Sequence, residues 1–140
     1  MKTPIIADTS ALISLASITD QNHILARKTS LFVKRGDYSL IVPGEIVTET
    51  TNTLGKKISH KIAIYTAVTL IGSNELAIIE TTSNIRKEAL ELFKRQSESV
   101  SFTDCLVMVF ADTFKTELIF GFDEAFKKNG YVRVGIDDTE

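Results

Sequence analysis

Short apolar runs separated by longer amphipathic stretches constrain this chain more than any other feature of its sequence. Residues 4–7, 40–42, 76–79 and 118–120 are continuous and rich in branched side chains, with Ile5, Ile6, Ile41, Val42, Ile78, Ile79 and Ile119 among them. An uninterrupted apolar run, unlike an alternating one, suits a strand covered on both faces, as in a parallel sheet. A fifth run, residues 131–134, alternates apolar and polar positions and reads as an edge strand. Between the runs lie helical patterns over residues 22–34, 45–54, 58–71, 83–95 and 101–114. In the first of these Ile24, Leu25, Leu31 and Phe32 are the apolar positions. The segment 58–71 is apolar nearly throughout and is expected to be deeply packed. Segment 83–95 turns Ile85, Ala89, Leu92 and Phe93 inward, and hydroxyl residues at 101 and 103 offer a helix cap. Strands alternating with helices predict an α/β fold of three layers, α/β/α, around a central parallel sheet of about four to five strands.

The 140 residues suffice for one domain with a real core, and no Pro, Gly or Ser-rich linker divides residues 1–140. One cysteine, Cys105, excludes an internal disulfide and a cysteine-rich zinc site, and two histidines, His23 and His60, exclude a multi-histidine metal centre. No apolar stretch approaches the ~20 residues that span a bilayer. The apolar run 11–16 is flanked by Asp8 and Asp20, which fits a signal peptide badly, so a cytoplasmic protein away from membranes is expected. A formal net charge of −2 excludes a generally basic nucleic-acid binder, though not a local basic patch.

In an open α/β sheet, ligands collect at the C-terminal ends of the strands. Asp8 directly follows the first run, and Asp123 follows the fourth after Gly121 and Phe122. Asp104 stands in the first turn of its helix above Val107, Met108 and Ala111, at the head of an apolar stripe. The helix after the second strand offers Glu45 and Glu49. At ~100° per residue Glu49 lies ~115° from the centre of the buried face and Glu45 ~155°, so Glu49 flanks the core and Glu45 points away. Four carboxylates drawn to one edge repel one another unless a cation neutralises them. An oxygen-only set suits Mg²⁺ or Mn²⁺, ions that can activate water and offset charge on a phosphodiester. Setting these four of the 18 acids aside leaves 14 against 16 Lys and Arg, so the remaining surface can face a phosphate backbone. Lys56, Lys57, Lys61, Lys127 and Lys128 are the candidate contacts to such a backbone.

Four segments, in order, carry a family likeness: Ile-Ile-Ala-Asp-Thr-Ser at 5–10, Val-Pro-Gly-Glu-Ile-Val-Thr-Glu at 42–49, Ser-Phe-Thr-Asp-Cys-Leu at 101–106 and Ile-Phe-Gly-Phe-Asp at 119–123. Together they resemble the PIN-domain nucleases, particularly the small VapC-type toxins of prokaryotic toxin–antitoxin pairs. The resemblance implies that Asp8, Glu49, Asp104 and Asp123 bind Mg²⁺ or Mn²⁺ for endonucleolytic RNA cleavage, and that Ser10 supports the first acid. It also implies a homodimer and a cognate antitoxin protein. Gly121 departs from the family pattern, which usually has Thr or Ser there; this weakens the support expected for Asp123.

Each of these residues also has an ordinary structural reading. Asp8 suits the cap of a helix starting at Thr9, Asp104 complements a helix dipole, Glu49 suits a solvated surface, and Asp123 suits a turn or cap. Cys105 reads as a small packed group and His60 as solvent-facing. Two other functions compete with the nuclease: a catalytically silent PIN-like interaction scaffold, and a receiver-like metal-binding signalling module. The second lacks a phosphoacceptor Asp after a central strand and a Lys ending a later one. No G-x-S-x-G elbow, P-loop or G-x-G-x-x-G turn is present.

Overall fold

The computed structural model describes residues 2–138. Five strands, β1 (Thr3–Ala7), β2 (Tyr38–Pro43), β3 (Leu76–Ile79), β4 (Leu118–Phe120) and β5 (Val132–Arg133), form one sheet in the order β3-β2-β1-β4-β5. Every pairing is parallel; Ile6 registers with Ile41 on one side and with Ile119 on the other. Seven helices connect the strands: α1 (Thr9–Ala16), α2 (His23–Arg35), α3 (Gly44–Lys57), α4 (His60–Gly72), α5 (Ser83–Lys94), α6 (Phe102–Thr113) and α7 (Glu124–Lys128).

Adjacent residues of a strand face opposite sides of the sheet, and each side has its own core. Ile5 and Phe120 join Ala11, Ala26, Val33 and Val134 in one cluster. Their neighbours Ile6 and Ile119 join the larger cluster around α6, from Cys105 to Ala111. The central strands are therefore sandwiched, which is why their sequences read as unbroken apolar runs. Strand order reverses at β1, whose chain leads outward to β2 while its other edge pairs with β4. In an open α/β sheet such a switch point, here at the C-terminal ends of β1 and β4, is where ligands collect.

The fold departs from or refines the sequence reading at several elements. Helix α4 is not deeply packed: of its apolar residues Ala63 and Leu70 are buried, while Ile64, Tyr65, Val68 and Ile71 are exposed. It forms a hairpin against α3 instead of a layer on the sheet, so one stripe is covered and the rest faces out. On α2 the buried side is Ala26, Thr29 and Val33, not the bulkier Ile24, Leu31 and Phe32, which stay exposed. The close approach selects small residues; a Cβ on Gly135 would come within 2.2 Å of Thr29 Oγ1. The fifth run pairs along only Val132–Arg133, and Arg133 is buried despite its polar position at the sheet edge. On α5, Ile85 and Ala89 are buried as expected, whereas Phe93 is partly exposed and packs edge-to-face on Phe102 with centroids 5.7 Å apart.

Candidate active site

Three of the four acids sit at helix N-termini, where partial positive charge and free backbone N–H groups favour a carboxylate. Asp8 ends β1 and caps α1; its Oδ2 accepts from Ser10 N at 3.1 Å and from Ser10 Oγ at 2.6 Å. Asp123 caps α7, with Oδ1 accepting from Ala125 N at 2.9 Å. Asp104 closes a capping box at the start of α6: its N–H donates to Ser101 Oγ at 3.0 Å, and its Oδ2 accepts from Ser101 N at 3.1 Å. Capping and site placement are thus one arrangement, because a helix that leaves the sheet edge begins where the crevice is. The opposite oxygens, Asp8 Oδ1, Asp104 Oδ1 and Asp123 Oδ2, have no hydrogen-bond donor among the described residues.

The acids share an electrostatic field. Burial pushes the Asp8 carboxyl up to about 6; the Ser10 hydroxyl pulls the other way, and the charges of Asp104 and Glu49 add to the rise. Asp104 is also raised, first by burial and then by the charges of Asp123 and Glu49, against the Ser101 bonds that lower it. None of the four has an ion-pair partner among the described residues. The set therefore fits a hard divalent cation: its donors are carboxylates only, two are raised by burial and by their neighbours, and among the described residues no basic side chain forms an ion pair with them, Arg133 reaching Asp123 only through its longer-range charge. Among the described residues no three metal-capable side chains already stand at coordination distance of a common point.

Glu49 belongs to this field and Glu45 does not. Glu45 is half-buried and is held outside the acidic group, accepting a hydrogen bond from Thr81 Oγ1 and pairing with Arg86 Nη2 at 3.1 Å. Cys105 is buried, and its thiol is pushed up to about 11 by burial and the Asp104 charge, as suits a packing group rather than a nucleophile. His23 Nδ1 lies 2.7 Å from Ser14 O, and His60 is exposed on α4.

Ser10 does more than support Asp8. Its Oγ also accepts from Phe122 N at 3.0 Å, tying the start of α1 to the loop that carries Asp123. The Gly121 departure has a steric reason: a Cβ there would meet Asp8 Cβ at 2.8 Å and Phe126 Cε2 at 2.9 Å. The five candidate lysines are all exposed. Lys127 and Lys128 end the short helix that Asp123 begins. Lys56 and Lys57 end α3, about 10–12 Å of helix rise beyond Glu49, and Lys56 lines a groove with His60 between α3 and α4. Sequence reasoning missed Arg133, whose Nη1 donates to Phe122 O at 3.0 Å.

A family model described as the PIN domain matches residues 5–130. Among solved structures, the crystal structure of Mycobacterium tuberculosis VapC20, a sarcin–ricin loop cleaving toxin, is similar with a TM-score of 0.85 at 21% sequence identity. The match covers 93% of this chain and 98% of that one. At that identity the likeness shows the fold, a parallel sheet flanked by helices in the PIN-like α/β/α manner. No curated protein matches the sequence significantly.

Proposed function

The chain belongs to the PIN-domain family, and on that footing we propose that it is a divalent-metal-dependent endoribonuclease, the toxin component of a VapBC-type toxin–antitoxin pair. One observation carries the reading. Asp8 is 4% exposed, lies at the strand-order switch point, feels the charges of Asp104 and Glu49, and has no cation beside it. A fold gains nothing from that repulsion unless a ligand relieves it.

Asp8 and Asp104 would hold the ion, with Glu49 and Asp123 completing the set. Mg²⁺ and Mn²⁺ both suit the donors. When bound, such an ion supplies the positive charge that acidifies water and stabilises a phosphodiester under attack. The chain's own residues do the positioning. Ser10 orients the Asp8 carboxylate, the capping box fixes Asp104, and the bond from Phe122 N to Ser10 Oγ keeps the Asp123 loop against Asp8. Neither histidine nor the thiol is placed to act, so hydrolysis rests on the carboxylate–metal centre. Lys127 and Lys128 are the nearer of the candidate backbone contacts, and the RNA loop cleaved by the mycobacterial toxin is the first substrate to try. The exposed apolar residues of α2 and α4 supply surface for a second copy and for an antitoxin. No helix among the described residues is long and apolar enough to cross a membrane.

The test is cleavage of a sarcin–ricin loop RNA with Mn²⁺, Mg²⁺ or EDTA by the parent, Asp8→Asn and Asp104→Asn. Loss of cutting in both variants, with unchanged circular dichroism, is expected. Parent-like cutting by either overturns the assignment. The silent-scaffold reading draws on the acids not yet standing at coordination distance of one point. Titration calorimetry with Mn²⁺ separates the two, because a scaffold would show no binding with all four acids intact.

A further inference from the structure

Among the described residues Arg133 is the one basic side chain in the strands of the sheet, and it lies within the electrostatic reach of Asp123. It and Asp137 form a nearly enclosed pair, with side chains 10% and 11% exposed. Nε and Nη2 each donate to one Asp137 oxygen at 2.9 Å, and Arg133 N donates to Asp137 Oδ2 at 2.9 Å. One edge of the planar guanidinium is thereby fixed, which leaves Nη1 to donate to the Phe122 carbonyl, 3.0 Å away. The same Phe122 residue is gripped on its other side, its N–H donating to Ser10 Oγ, which in turn donates to Asp8 Oδ2.

We propose that Arg133, seated by Asp137, is a positioning residue of the active site: by holding the Phe122 carbonyl it sets where the Asp123 carboxylate stands relative to Asp104 and Asp8. The proposal rests on the nuclease reading above. Asp123 is exposed, and among the described residues its only side-chain bond is to Ala125 N on its own five-residue helix. Its location is therefore decided by the backbone of residues 121–123. Gly121 has no side chain to anchor that stretch and no room for one. The two bonds to Phe122 take over that task, one from the first acid's serine and one from the last strand.

The test compares the parent with Arg133→Met/Asp137→Leu, which removes both charges together, and with Arg133→Lys, which keeps the charge but loses the fork. Two readouts are taken: kcat and KM for RNA in Mn²⁺, and amide hydrogen exchange of the metal-free proteins. The double variant is expected to lose about tenfold in kcat with KM unchanged. The Phe122 and Asp123 amides should exchange faster while those of α6 keep parent protection. Arg133→Lys should fall between, and it is judged by the same criteria if the double variant does not fold. Parent-like kcat, or unaltered exchange at those amides, overturns the proposal; a lowered melting temperature with parent-like kcat is the signature of a merely structural pair. If the parent itself cuts no RNA, the nuclease reading fails, and the exchange result alone then decides whether Arg133 holds the loop.

Discussion

Replacing Asp8 by Asn is expected to stabilise the metal-free protein even as it removes the proposed activity. The Asp8 carboxyl moves from 3.8 to about 6 on folding, and two units correspond to about 3 kcal/mol at 1.36 kcal/mol each. The sign follows from proton counting. Between about pH 4 and 6 the folded state keeps a proton that the unfolded chain has released, so the Asp8 contribution falls as pH rises through that window and stays low above it. Asn cannot ionise, yet it is an equally good cap and accepts the same two bonds from Ser10. Its amide adds donors to a buried place at a cost of about 1–3 kcal/mol, which is independent of pH. Near pH 7.5 the variant should therefore equal or exceed the parent by up to about 2 kcal/mol, roughly 5–8 °C in Tm for a chain of this size. Near pH 4 it should be the weaker of the two. The assay is urea and thermal unfolding in EDTA from pH 4 to 8, read as the variant–parent difference so that other titrations cancel. A difference that stays flat with pH refutes the reasoning, whatever its absolute size.

The two glutamates of α3 should separate. Glu49→Gln should weaken Mn²⁺ binding by calorimetry and lower RNA cleavage at least tenfold, whereas Glu45→Gln, which loses a partly exposed pair with Arg86, should cost under ~1 kcal/mol of stability and leave cleavage intact. Gly121→Ser, although it restores the usual family residue, should destabilise by about 1–3 kcal/mol in urea, because its Cβ would stand 2.8 Å from Asp8 Cβ. Val68→Lys, on the exposed side of α4, should leave monomer stability within about 0.5 kcal/mol by the same measurement; a larger loss would mean that this side is packed. Mn²⁺ should raise the melting temperature of the parent and not of Asp104→Asn, measured by thermal scans at pH 7.5.

The strands were the most legible part of the molecule. Residues 4–7, 40–42, 76–79 and 118–120 all lie in strands; β1, β2 and β4 are covered on both faces, which leaves an unbroken apolar run, whereas the edge strand β3 is apolar though only partly buried. The position of Asp8 was legible for a related reason: the residue after a central strand stands at the strand's C-terminal end, where Asp8 caps α1. Less visible were α1, read only as a possible partner for an Asp8 cap, and α7, five residues long and too short for periodicity.

Sequence by itself determined the alternation of strands and helices, the parallel sheet, and the placing of Asp8 and Asp123 just after strands. These follow from local rules of one residue and its near neighbours. Only tertiary structure decided that α2 covers the sheet with Ala26, Thr29 and Val33, that α4 leaves its bulkier apolar side exposed, and that Arg133 turns inward to hold Phe122. Each of those outcomes depends on what stands opposite, and a residue's own hydropathy says nothing of the distance to a facing backbone or of a carbonyl awaiting a donor.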